Sequence, residues 1–319
     1  MALIHLNFES KYLCGNTDVN IILPEADRSM EPKEYYRHLK KYKVLWLLHG
    51  TYGDYSDWVR KTNVELYAYQ RKIAVVMPSA SNSNYADWDC FALGYKVYSY
   101  FTEELMPMIY ASFPISNKRE DNYIAGLSMG GKGAFLYALN HPELFKACYS
   151  FSSAPRPLTK PDPKAFSHKR EENLIANFGS LKEYKASPLN LWDLTKKVTE
   201  EKIDLPDFYF ACGNKDEIAY EPFVKFREYS KKIGFVAKFY EIDGYKHEWP
   251  FWDLCLKDAL IRFFGKKKEK PLFDEKKIQK KLSSHLSQAI NGLRFFDNIS
   301  EQVEAKFVLK NSFKRAIQR

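Results

Sequence analysis

Tyr123-Ile124-Ala125-Gly126-Leu127-Ser128-Met129-Gly130-Gly131 is the stretch that decides the fold. A short apolar run leads into Gly-x-Ser-x-Gly and then into a helix-forming stretch, Lys132 to Asn140. A serine on so tight a strand-to-helix turn lifts its hydroxyl above a sheet. The turn forces unusual dihedrals on Ser128 and crowds its neighbours, and Gly126 and Gly130 lack the Cβ that would clash. Small residues at Gly131 and Gly133 let the helix lie close to the strand. The new helix start aims the backbone N–H of Met129 at a developing oxyanion. The pattern itself recurs by chance. The strand before it, the helix after it and distant partners give it meaning.

Outward from this turn, apolar strands alternate with amphipathic helices. Ile4–Phe8 and Asp18–Leu23 read as an antiparallel opening pair, and residues 25–41 as a charged loop. Lys43–Leu48 is a buried-strand run ending in His49-Gly50, Asp57–Tyr69 a helix, and Ile73–Met77 a strand stopped by Pro78. Lys96–Ala111 reads as a helix kinked at Pro107. After the serine come strands at Ala147–Ser152, Asp207–Gly213 and Val236–Ile242, and a closing helix at Trp249–Phe264. The pattern predicts an α/β fold with a doubly wound, mostly parallel central sheet and helices on both faces. Residues 153–206 break it. With six prolines and many charges, they read as a cap-like insertion over the top of the sheet.

A serine hydroxyl is a poor nucleophile unless a base takes its proton. Of seven histidines, His247 stands in the loop after the last strand, at the same edge of the sheet as Ser128. An acid must hold its imidazole. Asp216, just past Ala211-Cys212-Gly213, fits, with Glu217 and Asp243 in reserve. The order Ser128, Asp216, His247 is the one this arrangement of strands calls for. A second oxyanion donor comes from the turn Gly50-Thr51-Tyr52-Gly53, through the Thr51 N–H beside that of Met129. His49 reads as a hydrogen-bonding residue rather than a second base. Asp54 and Asp57 read as an exposed pair at a helix start, Asp57 capping, rather than metal ligands. Glu103 and Glu104 read as helix-surface charges. Trp58, Tyr85, Trp88, Trp249 and Trp252 gather near the strand ends, as core or as the wall of an acyl pocket; Trp88 and Trp249 lean towards the pocket.

Four segments together resemble the esterase D/putative esterase family of α/β-hydrolases, nearest its tributyrin-esterase-like branch, which is similar to feruloyl (cinnamoyl) esterases. They are Leu47-Leu48-His49-Gly50-Thr51-Tyr52-Gly53-Asp54 with Trp58, Gly126–Gly131, Ala211–Asp216, and His247-Glu248-Trp249-Pro250-Phe251-Trp252. The resemblance covers roughly residues 3–264 and implies an α/β-hydrolase fold. It implies a carboxylesterase for short-chain acyl or hydroxycinnamoyl esters, with a Ser128–His247–Asp216 triad and no cofactor or metal. Related domains include mycolyl transferases, so acyl transfer to a sugar or alcohol stands as an alternative. A catalytically idle scaffold with a basic interaction tail is a third reading, against which the intact Ser/Asp/His set argues.

The 319 residues, 45% hydrophobic, are ample for a sizeable core, with no apolar run of roughly 18 residues to span a membrane. The opening Met1-Ala2-Leu3-Ile4-His5 lacks the pattern of a signal peptide, and five scattered cysteines have no metal-like spacing. The expectation is a cytoplasmic protein with reduced thiols. Net charge is +9, but residues 265–319 hold 14 Lys/Arg and 6 Asp/Glu, which leaves residues 1–264 near neutral. A nucleic-acid or anionic-membrane partner is therefore confined to the tail. Its helical spacing, Ile278 to Leu293 and Ile299 to Ile317, predicts a basic helical extension packing on the body or on a second subunit of a homo-oligomer.

Overall fold

The structure is a computed structural model that describes residues 1–26, 29–37, 39–91, 93–161, 168–266 and 269–273. Contacts divide the chain into Met1–Lys270 and Pro271–Arg319. The first unit is described here; the helices expected after residue 273 lie outside the described residues.

In chain order the elements are β1 (Ala2–Ser10), β2 (Gly15–Leu23), α1 (Pro32–Arg37), β3 (Val44–Leu48), α2 (Asp57–Lys61), α3 (Val64–Arg71) and β4 (Ala74–Pro78). Then follow a two-residue hairpin pair, β5 (Asp87–Trp88) and β6 (Tyr95–Lys96), α4 (Val97–Ser99), a π-helical stretch (Tyr100–Leu105) and α5 (Met106–Ser112). The second half holds β7 (Asn122–Leu127), α6 (Met129–Asn140), β8 (Ala147–Phe151), α7 (His168–Asn177), α8 (Leu181–Ala186), α9 (Leu191–Glu200), β9 (Asp207–Gly213), α10 (Tyr220–Ile233), β10 (Lys238–Ile242) and α11 (Trp249–Phe264).

Eight strands form one sheet in the order β1-β2-β4-β3-β7-β8-β9-β10. β2 pairs antiparallel with both β1 and β4; the other neighbours are parallel. β3, β4, β7 and β8 are buried at every position, as strands covered on both faces must be. Side chains alternate across the sheet. Trp46, Leu48, Ile124 and Cys148 join Phe135, Phe210 and Phe226 in a core on the side of α6 and α10. α11 packs on β7 and β8 from the other face, where Tyr149 meets Phe263 and donates to Asp258 at 3.0 Å.

The strand order reverses between β3 and β7, since the chain goes to β4 on one side and to β8 on the other. Such a switch point opens a crevice at the carboxyl ends of the strands. There the turn after β3 lies against the turn after β7: a Cβ at Gly50 would strike the Leu127 side chain.

Three sequence expectations are corrected. Residues 25–41 carry the short helix α1 rather than loop alone. The helix expected over Asp57–Tyr69 is two helices. The extended Thr62 interrupts it, its hydroxyl donating to the Trp58 carbonyl and accepting from the Val64 amide, while the Asn63 amide reaches Asp253. The kink expected at Pro107 is spread over the π stretch before it. Pro107 has no N–H for a regular bond to Glu103, and the Met106 N–H closes back on Phe101, five residues earlier. Glu103, exposed, and Glu104, half-buried, are helix-surface charges, and they accept from Tyr12 and from Ser10 and the Lys11 amide, tying this stretch to the β1–β2 turn. The insertion 153–206 holds α7, α8 and α9.

Candidate active site

Ser128 follows β7 directly with φ 51° and ψ −117°, a conformation costly for any side-chain-bearing residue. Three features hold it there. Its amide donates to the Phe151 carbonyl at 2.8 Å, its carbonyl accepts from the Lys132 amide at 3.1 Å, and glycines close the turn on both sides. A Cβ at Gly126 would enter the Gly130 carbonyl, and one at Gly130 would enter the Leu48 and His49 carbonyls. Both obstacles are backbone and have nowhere to move. Gly130→Ala is therefore expected to cost about 3 kcal/mol and to lower the melting temperature by about 5–10 °C. Thermal denaturation reads this directly, and an unchanged melting temperature would contradict the packing.

Asp216 and His247 stand on neighbouring loops, sewn together. After β9, the Asn214 and Lys215 amides donate to the Ile242 and Tyr245 carbonyls at 3.0 Å each. The Asn214 side chain donates to Asp243 at 2.9 Å and accepts from the Gly244 amide at 2.9 Å. Asp243 is thus part of this brace, and Asp216 faces the histidine. His247 Nδ1 lies 2.8 Å from Asp216 Oδ2, and His247 Nε2 lies 2.9 Å from Ser128 Oγ. A carboxylate only accepts, so Nδ1 carries the hydrogen and Nε2 is left to accept from the serine.

Asp216 is buried. Burial alone would push its carboxyl up. The His247 ring, the Ala219 amide and the Ser152 hydroxyl outweigh that and hold it below the ordinary aspartate value. Its Oδ1 accepts from the Ile218 and Ala219 amides at 3.0 and 2.8 Å. Ser152, in a left-handed conformation at the end of β8, also accepts from Trp252 Nε1 at 3.1 Å, and the Trp252 ring stands edge-on to His247.

In the turn after β3, the Tyr52 amide is taken by Asn82 Oδ1 at 2.8 Å and the Gly53 amide by the Gly50 carbonyl at 3.1 Å. Neither bond uses the Thr51 amide, and Met129 opens α6. His49 is buried, its Nδ1 donating to the Gly50 carbonyl at 2.7 Å and its Nε2 accepting from the Ala80 amide at 2.9 Å. Burial pulls its basicity down, so it stays a neutral brace for the turn.

The aromatic residues divide. Trp58 and Tyr85 have at most 1% of their surface exposed, so neither walls an open pocket. Trp58 Nε1 donates to the Leu48 carbonyl, and the Tyr85 hydroxyl to the His49 carbonyl with its ring against Gly133. Both belong to the core under the site. Trp88 and Trp249 are half-buried, and Trp88 Nε1 donates to the Ser83 carbonyl at 2.8 Å. Trp249 packs edge-on against Trp58 and Trp252, with the Lys61 ammonium 4.8 Å from its ring centre. Asp57 is corrected as well: it is buried, makes no cap bond and pairs with Lys61 at 2.8 Å, while Asp54 accepts from the Ser56 amide and hydroxyl.

The sequence model of the esterase family, described as "Putative esterase", matches residues 10–263. The chain belongs to this esterase family. It is a serine hydrolase acting on ester bonds, with the α/β-hydrolase fold. An acetyl esterase of Caldicellulosiruptor saccharolyticus is 31% identical over 270 residues, covering 81% of this chain and 97% of that protein. Among solved structures, the substrate-bound fluorophosphonate-binding serine hydrolase F (FphF) of Staphylococcus aureus matches at TM-score 0.69 and 30% identity, over 83% of this chain and 99% of that one. The S-formylglutathione hydrolase (FrmB) of Staphylococcus aureus matches at TM-score 0.67 and 29% identity, over 82% and 98%. Among the described residues of the esterase, no helix is long and apolar enough to cross a membrane.

Proposed function

We propose that this esterase hydrolyses short-chain acyl esters through an acyl-enzyme on Ser128, with His247 as base and Asp216 as its orienting acid. The observation that carries the reading is the 2.9 Å approach of His247 Nε2 to Ser128 Oγ, with the ring's other nitrogen on a buried carboxylate. Nε2 takes the hydroxyl proton as Oγ bonds to the ester carbonyl carbon. The carbonyl oxygen becomes an oxyanion held by the Met129 and Thr51 amides. As the tetrahedral intermediate collapses, the carbon–alkoxy bond breaks and the imidazolium protonates the leaving alcohol. Water then gives a proton to Nε2 and attacks the acyl carbon. The acid departs and Oγ regains its proton. Aiming fixed dipoles at the oxyanion is the largest single contribution such a site makes.

A short acyl group is supported by the names of two relatives, an acetyl esterase and an S-formylglutathione hydrolase, each built around a one- or two-carbon acyl group. In this reading the half-buried Trp88 and Trp249 flank that group. With 4-nitrophenyl acetate, butyrate, octanoate and ferulate, kcat/KM is expected to be highest at acetate or butyrate and roughly 10-fold lower at octanoate. A faster rate on ferulate would assign the site to hydroxycinnamoyl esters instead and overturn the short-chain reading.

A further inference from the structure

The start of α6 carries a charge that the triad does not use. Lys132 stands four residues after Ser128, and a helical Cα–Cβ bond leans towards the N-terminus, here towards the elbow. Its neighbours fix the direction in which it points. Gly130 presses on the Leu48 and His49 carbonyls, Gly133 on the Tyr85 ring, and Gly131 on Ser150 and Ser153 at the end of β8. Lys132 takes the remaining side, away from the sheet.

There it is half-buried, and its ammonium makes no hydrogen bond or ion pair among the described residues. A lysine drawn out of water is ordinarily paired. Among the described residues, the charges acting on this one are mostly of its own sign. Arg156, in the segment after β8, and Arg170, on α7, oppose it; Glu171, on α7, is the acid that supports it. Burial, ahead of the repulsion from Arg156, pulls the ammonium down to about 8. Arg156 is fixed to the acid loop: its guanidinium donates to the Ile218 carbonyl at 3.3 Å, and the Ile218 amide donates to Asp216. Among the described residues, three cations thus stand with two carboxylates, Glu171 of α7 and, on the Arg156 side, Glu221 of α10, next to the loop that carries the triad acid and one helical turn from the nucleophile. An excess of positive charge in a partly desolvated place is stabilised by an anion brought there.

We propose that Lys132, with Arg156 and Arg170, forms a subsite for a carboxylate carried by the substrate, so that the preferred esters are anionic. This rests on the esterase reading above and narrows its substrate class. The carboxylate has two possible places, on the acyl group or on the alcohol, and one experiment separates them. The acyl arm compares 4-nitrophenyl hemiglutarate with 4-nitrophenyl butyrate. The alcohol arm compares 4-acetoxybenzoate with its methyl ester.

In each arm the measured quantity is the kcat/KM ratio of the anionic to the neutral ester, so that general losses cancel. Lys132→Met is expected to lower that ratio about 10–100-fold in one arm, which then locates the carboxylate, and Lys132→Arg to restore most of it. Arg170→Gln gives an independent reading, with a smaller fall in the same arm. The parent enzyme supplies a test that needs no variant. A lysine whose value is lowered to about 8 keeps its charge below that pH and loses it above. The ratio is therefore expected to fall as pH rises through about 8 to 9, while Lys132→Arg holds it level. A ratio that stays within threefold across Lys132→Met in both arms, or that is flat with pH in the parent, would overturn the subsite. Failure of the parent to turn over even the neutral esters would instead remove the esterase reading, and the subsite with it.

Discussion

Ser128→Ala is expected to lower kcat for a neutral acetyl ester by roughly 10⁵–10⁶-fold. The loss is so large because the residues act as a unit. In the mechanism proposed above, loss of Oγ leaves His247 Nε2 with nothing to activate, and the Met129 and Thr51 amides with only a direct attack by water to assist. The fold is expected to survive. Alanine occupies less space than serine and meets the same positive φ, so the strain at the elbow neither grows nor disappears. The bonds that hold the turn, from the Ser128 amide to Phe151 and from the Lys132 amide to the Ser128 carbonyl, belong to the backbone and remain. The variant should melt within a few degrees of the parent and lose labelling by a fluorophosphonate probe. A kcat within 100-fold of the parent, in a preparation free of contaminating esterase, would rule out Ser128 as the nucleophile.

How far such a site can be read from sequence depends on which interactions are local. The elbow is largely local: two glycines, a strand before and a helix after shape the turn at Ser128 in one continuous stretch, and the Phe151 carbonyl of the next strand completes it. Asp216 and His247 are distant in sequence, but each follows a strand by a few residues, and parallel strands deliver such loops to the same edge. Their convergence follows from topology. The break at Thr62 does not, because the Asn63 amide is drawn to Asp253, 190 residues away. α10 escaped the sequence reading for another reason. Its buried stripe is thin, Phe223, Phe226 and Ser230 among lysines, glutamates and Arg227, and Pro222 looks like a breaker although the first turn of a helix tolerates it. Trp58 and Tyr85 show what composition cannot convey. Aromatic residues near strand ends serve core and pocket equally well, and only Gly133, by admitting the Tyr85 ring, decides between them. Lys132 is the converse case, a charge on a helix that sequence alone assigns to solvent.

Asp216→Asn is expected to lower kcat about 10⁴-fold with little change in KM. The cause is a tautomer rather than a lost charge alone. The Asp216 side chain is held from two sides, Oδ1 by the Ile218 and Ala219 amides and Oδ2 by His247. In asparagine only one of the two positions can be an oxygen. The two backbone donors cannot turn away, so they retain the carbonyl oxygen and the side-chain NH₂ faces His247. An N–H donor beside Nδ1 favours the ring with Nδ1 bare and the hydrogen on Nε2. That nitrogen then donates to Ser128 and has no lone pair for its proton. The ring, the serine and the amides all stay in place, so substrate binding is preserved while proton transfer fails. Steady-state kinetics separate this from a structural effect: kcat falls, KM holds, and the melting temperature shifts by only a few degrees. A variant within tenfold of the parent in kcat would mean that the carboxylate does not set the histidine's hydrogen, and the proposed roles of Asp216 and His247 would have to be withdrawn together.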